Sequence, residues 1–302
     1  PDLVFTVGTQ QRDAKNLFLR AVNIVQKGFL GKIHTVTCSI GGGDVAKEDF
    51  KKEAPPESLN WEMWLGQAPK VDYIKERAHY QFRWWYEYSG GKFTDWGAHH
   101  IDIATWALGE DKEGGGPIEI DGTDAKHPVP YAHGYATTDL RYNTAHDYVV
   151  KCKYASGVTL NVTSGGNTEA DADSPRSVGN GILFEGDKGR IFVSRGKISG
   201  TPIEENWDKD AYTDEDVMRL FKGKPHEGHK NNFFRCVREG GLPVSDVFTH
   251  VQAMGTCHLS AIAARLNRVI KWDPKAEKIV GDEEAAKFFA REQRKGYEIN
   301  RV

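Results

Sequence analysis

Tyr148-Val149-Val150-Lys151-Cys152-Lys153-Tyr154, Ala155-Ser156-Gly157 and Val158-Thr159-Leu160-Asn161-Val162 read as strand, turn and strand. β-branched and aromatic residues dominate both runs, and a short turn containing glycine separates them, which is the pattern of a β-hairpin. The pattern recurs where Gly181-Ile182-Leu183-Phe184-Glu185 and Arg190-Ile191-Phe192-Val193 flank Gly186-Asp187-Lys188-Gly189. Successive hairpins predict a large, open, mostly antiparallel sheet. Around it the periodicity changes from two to near four. Residues 244–267 carry Val247, Val251, Met254, Cys257, Ile262 and Leu266, an apolar helical face expected to pack on that sheet.

Toward the N-terminus, Leu3–Val7 reads as a buried strand, 13–27 as a helix stopped by Gly28, and 32–40 as a second strand. Residues 41–60 are a loop, and 60–66 a short helix with a glycine stop. Residues 196–226 look polar and irregular. Helices return at 228–239 and 244–267, then a strand at 269–272 and a helix at 283–291. The fold class is therefore α/β (α+β), with helices on one sheet face. An open sheet face of this size would need cover, which predicts a homo-oligomer formed through it.

With 302 residues, 39% hydrophobic and 11% aromatic, the chain has the material for one or two cores. Its 40 basic and 43 acidic residues leave a net charge of −3, which gives no surface for nucleic acid or an anionic membrane. No apolar run reaches the roughly 18 residues that span a bilayer. Cys38, Cys152, Cys236 and Cys257 form no CxxC pair and read as small buried residues in a reducing compartment.

The chemistry concentrates in Gly90-Gly91-Lys92-Phe93-Thr94-Asp95-Trp96-Gly97-Ala98-His99-His100-Ile101-Asp102. In a helix over 94–108, Asp95, His99 and Asp102 fall at i, i+4 and i+7 and share one face. An imidazole between two carboxylates can move a proton near neutral pH. The same residues could instead form a structural, helix-capping cluster. Together with His100 they could also be metal ligands, which would suit a metal-assisted hydrolase or lyase. His100 itself points to another side of the helix and reads as structural. Trp84, Trp85 and Tyr86 form either a sugar-stacking wall or core packing. His226 and His229 resemble a loop metal pair or a solvated helix start. Gly41-Gly42-Gly43-Asp44-Val45-Ala46 follows a strand and fits G-x-G-x-x-A, but the charged stretch 47–56 has no apolar helical face, so it reads as a loop.

Taken in order, these motifs resemble the Gfo/Idh/MocA oxidoreductases, nicotinamide-dependent sugar and cyclitol dehydrogenases. The strongest match is Gly90-Gly91 followed by Asp95-x-x-x-His99-x-x-Asp102. Others are Val7-Gly8-Thr9-Gln10-Gln11-Arg12, Gly28-x-x-Gly31-Lys32-Ile33, Asn232–Val237, Ala264–Arg268 and Lys271-Trp272-Asp273-Pro274. The resemblance runs from residue 3 to about 297. It implies that residues 1–31 are the remnant of an N-terminal dinucleotide-binding (Rossmann) domain and 32–302 the C-terminal substrate-binding and oligomerisation domain.

In that family a GxGxxG turn and a Glu-Lys-Pro lysine complete the site, and neither occurs in this sequence. The chain begins at Pro1 without a Met, and an upstream segment is expected. The resemblance assigns His99 as general acid/base and Asp95 as its catalytic partner. Arg12, Lys92, Tyr86 and Asp102 become candidate substrate contacts. Arg12 could meet a substrate or cofactor phosphate, or form a surface ion pair. The implied cofactor is NAD or NADP in the full-length protein, with none expected in this chain. The implied substrate is a small sugar or polyol. The chain alone is expected to be inactive, and a non-catalytic oligomerisation module is the rival reading.

Overall fold

The computed structural model describes residues 3–167, 169–207, 209 and 212–299; Pro1 and Asp2, the start of the predicted remnant, lie outside them. The sheet strands are β1 (Ile33–Ser39), β2 (Pro117–Lys126), β5 (Asp147–Tyr154), β6 (Thr159–Thr163), β7 (Gly181–Gly186), β8 (Gly189–Val193), β9 (Ile198–Gly200), β10 (Val269–Asp273) and β11 (Lys278–Val280), while β3 (Tyr131–Ala132) and β4 (Tyr135–Ala136) make a separate ribbon. The helices are α1 (Arg20–Gln26), α2 (Trp61–Leu65), α3 (Gly97–Leu108), α4 (Thr201–Glu204), α5 (Asp214–Leu220), α6 (His229–Glu239), α7 (Val247–Leu266) and α8 (Glu283–Ala286).

The nine strands run β11-β10-β2-β5-β6-β1-β7-β8-β9. Only the β1–β6 pair is parallel, so the predicted open, mostly antiparallel sheet is what forms. Both hairpins fall where the turn residues placed them: Gly157 takes φ +88°, the left-handed region that glycine enters without a steric penalty. α1, α3 and α7 cover one face, against Val36, Cys38, Leu160, Val162, Ile182 and Phe184, all with no exposed surface.

α7 meets β2 unusually closely. The expected apolar stripe is only partly used, because Val251 is exposed and the buried residues include Ala253, Thr256, Cys257, Ser260, Ala263 and Ala264. Small side chains let the helix axis approach the sheet. At the irregularity in β2, a Cβ on Gly122 would lie 2.2 Å from the Ala263 carbonyl carbon. Gly122→Ala should therefore push α7 off the sheet and cost about 3 kcal/mol, the upper end for overpacking. A melting temperature within a degree of wild type would show that the contact relaxes freely.

The other sheet face is polar. One cross-strand row is Lys151, Asn161, Thr37, Leu183 and Phe192; the next is Lys153, Thr159, Thr35, Glu185 and Arg190. Antiparallel sheets tolerate water on one such face. The size of the face therefore does not by itself demand a partner, as the sequence reading assumed.

The N-terminal segment differs from expectation. Leu3 and Phe5 are exposed, and residues 3–7 form no strand beyond a single bridge from Thr6 to Asp246. An apolar run becomes a buried strand only where neighbouring strands complete its ladder, and none lies beside it among the described residues. Its polar groups are met by distant segments instead: Val7 N–H donates to Ser245 O at 2.8 Å, and His229 Nε2 contacts Val7 O at 2.9 Å. The segment that follows is helical, but not the single helix expected over 13–27: Gln10–Asp13 is a 3-10 turn, Lys15–Leu19 a π-turn, and the α-helix starts only at Arg20. α1 ends in a Schellman turn, with Gly28 at φ +73° donating to Val25 O (3.0 Å) and Phe29 N–H to Ile24 O (3.2 Å).

Three further corrections are local. α4, α5 and β9 occupy the supposedly irregular 196–226, where Thr213 and Asp216 form a capping box at α5. β11 was not foreseen, and the last helix stops at Ala286, with one tighter turn to Phe289. The four cysteines are buried free thiols, as expected. No described helix is long and apolar enough to cross a membrane.

Candidate functional site

The turn at 91–96 and the first turn of α3 hold the candidate chemistry. α3 starts at Gly97, three residues later than its periodicity suggested, so Asp95 sits on the turn and not on the helix. Gly91, at φ +62°, packs against Thr144, and Thr94 Oγ1 accepts from Gly90 N–H at 2.8 Å. This tight turn breaks the expected stacking. Asp95 accepts from Arg83 Nη1 at 2.8 Å and Lys92 Nζ at 3.2 Å, and makes no hydrogen bond to His99. Lys92 stands near the Trp84 ring (5.4 Å), so both cations share one carboxylate.

His99 is half-buried, and its Nδ1 is enclosed without a hydrogen-bond partner. Burial first, then the charge of Arg195, hold its pKa below the usual histidine value, against the opposing pull of Asp95 and Asp102. A neutral imidazole with free ring valence is a competent proton acceptor.

Asp102 is wholly buried and takes no part in orienting His99 through a hydrogen bond. It accepts from Arg12 Nε at 2.7 Å and Arg12 Nη2 at 2.9 Å, with His250 Nδ1 at 3.5 Å. Burial opposes its charge, but Arg12 and His250 outweigh this and keep the carboxyl below the usual carboxylate range. Arg12, 1% exposed, also donates to Val244 O at 3.1 Å and lies 4.6 Å from the Trp106 ring. Arg12 and Asp102 thus spend their charges on each other. The pair ties the N-terminal segment to α3 and is buried, so it is not a surface ion pair.

His100 is fully buried, as its side of the helix implied. Its Nε2 lies 3.2 Å from Asn180 Oδ1 and its Nδ1 3.3 Å from the Gln11 amide. With its nitrogen turned toward α3, Gln11 donates to His99 O at 3.0 Å and accepts from Arg195 Nε at 3.3 Å. Burial pushes His100 down to about 4. Its folded value lies below the unfolded value of about 6.5, so its contribution is complete above that pH and fades as pH falls toward 4. His100→Gln should remove part of the stability loss between pH 6.5 and 4, on the order of 3 kcal/mol, read as a smaller fall in melting temperature over that range. His127, also pushed down to about 4 by burial, accounts for a second part of the loss. An unchanged pH profile in the variant would rule His100 out as a cause.

Tyr86 is 3% exposed, and its hydroxyl lies 3.3 Å from His127 Nε2. Trp84 and Trp85 pack with Tyr142 in a small core of their own, so these aromatics are core residues with Tyr86 at a cavity edge. His226 and His229 form no metal pair. Both hold the N-terminal segment, His226 at Asp13 (2.9 Å) and His229 at Val7 and Asp13. Asp95, His99, His100 and Asp102 each face different partners, and no set of three His, Cys, Asp or Glu among the described residues converges on a metal position.

Gly41–Gly43 is closed to a nucleotide. Cβ atoms on Gly42 and Gly43 would meet the carbonyls of His146 (2.5 Å) and Ala145 (2.6 Å), and no helix follows before α2. A pyrophosphate needs open amides at a helix start, so these residues do not fit a dinucleotide. Arg83, Arg195, Asn180 and His250 are neighbours of the site that the sequence reading missed. They lie in separate segments and carry no motif.

This fold, a nine-stranded open sheet with a histidine-bearing helix packed on one face, is that of an oxidoreductase C-terminal domain. Residues 19–299 match the family model "Oxidoreductase family, C-terminal alpha/beta domain", and the chain belongs to the Gfo/Idh/MocA oxidoreductases. Among solved structures it is similar to aldose-aldose oxidoreductase from Caulobacter crescentus complexed with glycerol, at 16% identity and a TM-score of 0.50, covering 89% of this chain and 64% of that one. Another is the WlbA dehydrogenase from Bordetella pertussis in complex with NADH and UDP-GlcNAcA (17%, 0.47, 89% and 64%). A third is an NAD-binding protein from Listeria innocua (12%, 0.47, 88% and 63%). These identities speak to the fold alone. The chain spans less than two thirds of each of these proteins. No curated protein matches it in sequence.

Proposed function

We propose that this chain is the substrate side of an NAD(P)-dependent oxidoreductase acting on a sugar, cyclitol or related polyol. The observation that carries this reading is the half-buried, neutral His99 on α3, within the matched family region. In the proposal His99 exchanges a proton with a substrate hydroxyl, and Asp95, with Lys92 and Arg83, holds neighbouring hydroxyls. Tyr86 lies at the edge of a cavity that His99 does not line. Arg12 and Asp102 act as positioning residues, fixing α3 against the N-terminal segment.

The nicotinamide supplies hydride chemistry in this family, and its nucleotide would be held by residues outside these 302. Residues 1–31 would then be the end of that nucleotide-binding unit. Titration of the chain with NAD or NADP should show no tight binding, and joining it to a nucleotide-binding unit should restore polyol turnover. Tight binding to the chain alone would overturn this division of labour. Self-association through the outer sheet face belongs to the same proposal. It is supported by Leu183 beside Phe192, two half-buried apolar residues on an otherwise polar face. Light scattering that gave a monomer at micromolar concentration would remove it.

A further inference from the structure

A cavity of about 510 Å³ lies along the C-terminal half of α7, and His99 does not line it. Its size is that of small-molecule sites. His258, Ala261, Ile262 and Arg265 stand at i, i+3, i+4 and i+7, so one face of α7 forms a wall. Arg291 and Phe288, from the C-terminal segment, complete it, and a wider cleft adjoins it.

The lining contains two guanidiniums and an imidazole but no carboxylate. Among the described residues neither Arg265 nor Arg291 has a carboxylate within ion-pair distance, and both reach only backbone carbonyls, of Gly134 and Glu87. The Glu87 carboxylate is hydrogen-bonded by Asn143 Nδ2 at 3.0 Å. Arg265 is held in place by Phe288 (4.4 Å), Tyr86 (5.0 Å) and Tyr135 (5.0 Å). Among the described residues the His258 ring has no hydrogen-bond partner. Placing cations together without an acid costs free energy unless an anion completes the set. Arg291 shows part of this cost: desolvation, then Arg265, hold its pKa below the usual arginine value, against the smaller opposing pull of Glu87 and Tyr135.

We propose that this cavity binds a small ring-bearing carboxylate, with the carboxylate between Arg265 and Arg291 and the ring against Phe288 and Tyr88. Aromatic walls suit a ring, and a planar guanidinium suits a carboxylate. The site is separate from His99 and does not depend on the reaction proposed there.

The test is calorimetric titration of the 302-residue chain with glucuronate, glucose and inorganic phosphate. Glucuronate should bind, glucose should not, and phosphate should bind more weakly than glucuronate. Arg291→Gln should weaken glucuronate roughly ten- to hundredfold, and Arg265→Gln by as much, with folding checked by circular dichroism. His99→Ala should leave this binding unchanged. Equal binding of glucose, phosphate as tight as glucuronate, or full affinity in Arg291→Gln would each overturn the proposal. Loss of binding in His99→Ala with retention in Arg291→Gln would move the ligand to the other site and overturn it too.

Discussion

His99→Ala in the protein joined to its nucleotide-binding unit should lower kcat by about 10²–10⁴, the usual worth of a positioned acid/base, with a smaller change in KM. The expected pH dependence has a definite sign. Burial and Arg195 hold the His99 pKa below its ordinary 6.5, so the neutral, accepting form persists to lower pH than for a free imidazole. In the oxidation direction kcat/KM should rise with pH through that lowered value and then level off. In the reduction direction, where the imidazolium donates, it should fall across the same range. The alanine variant should lose this limb in both directions. Wild-type kcat with an unchanged profile would make His99 a structural residue.

The largest expected effect on stability is at Asp102. Asp102→Ala leaves the Arg12 guanidinium buried, with only the Val244 carbonyl at 3.1 Å and a marginal contact to Asp111 at 3.5 Å. Removing one member of a buried pair costs about 3–5 kcal/mol, which in a chain of this size lowers the melting temperature by about 10 °C. Replacing both members with apolar residues, Arg12→Met with Asp102→Leu, should recover much of the loss, because no uncompensated charge then remains. Acid should act through the same carboxyl. Its folded pKa lies below the unfolded value, so its contribution is complete above about pH 4 and is lost as pH falls through the folded value. Chemical denaturation of the two single variants and the double variant measures this directly. A double variant as unstable as Asp102→Ala would show that the hydrogen-bond geometry, and not the unpaired charge, carries the effect.

Much of the architecture was legible because its cues are local. The hairpins at 155–157 and 186–189, the Gly66 stop of α2 and the Gly28 stop of α1 each depend on a few adjacent residues. The ordered motifs also pointed to the family that residues 19–299 match. The sequence misled where an outcome depends on distant neighbours. Leu3–Val7 has strand composition but no adjoining strand. α3 periodicity extends back to Thr94, yet Gly91 against Thr144 closes a turn there and delays the helix.

That delay reorganised the candidate site. By spacing, Asp95, His99 and Asp102 form one proton-transfer face. In the fold, Asp95 belongs to Arg83 and Lys92, Asp102 to Arg12, and His99 to the space near Arg195 and His250. Lys92 lies within helical reach of Asp95, but the other partners lie 12, 90 and about 100 or more residues away, beyond the reach of any helical spacing. The sequence alone determined the residue types, the strand and turn order, and a histidine on a helix after a glycine turn, because these follow from local sterics and periodicity. Only the tertiary structure decided which charges neutralise each other and which ring remains free, because burial and long-range pairing set the cost of each charge.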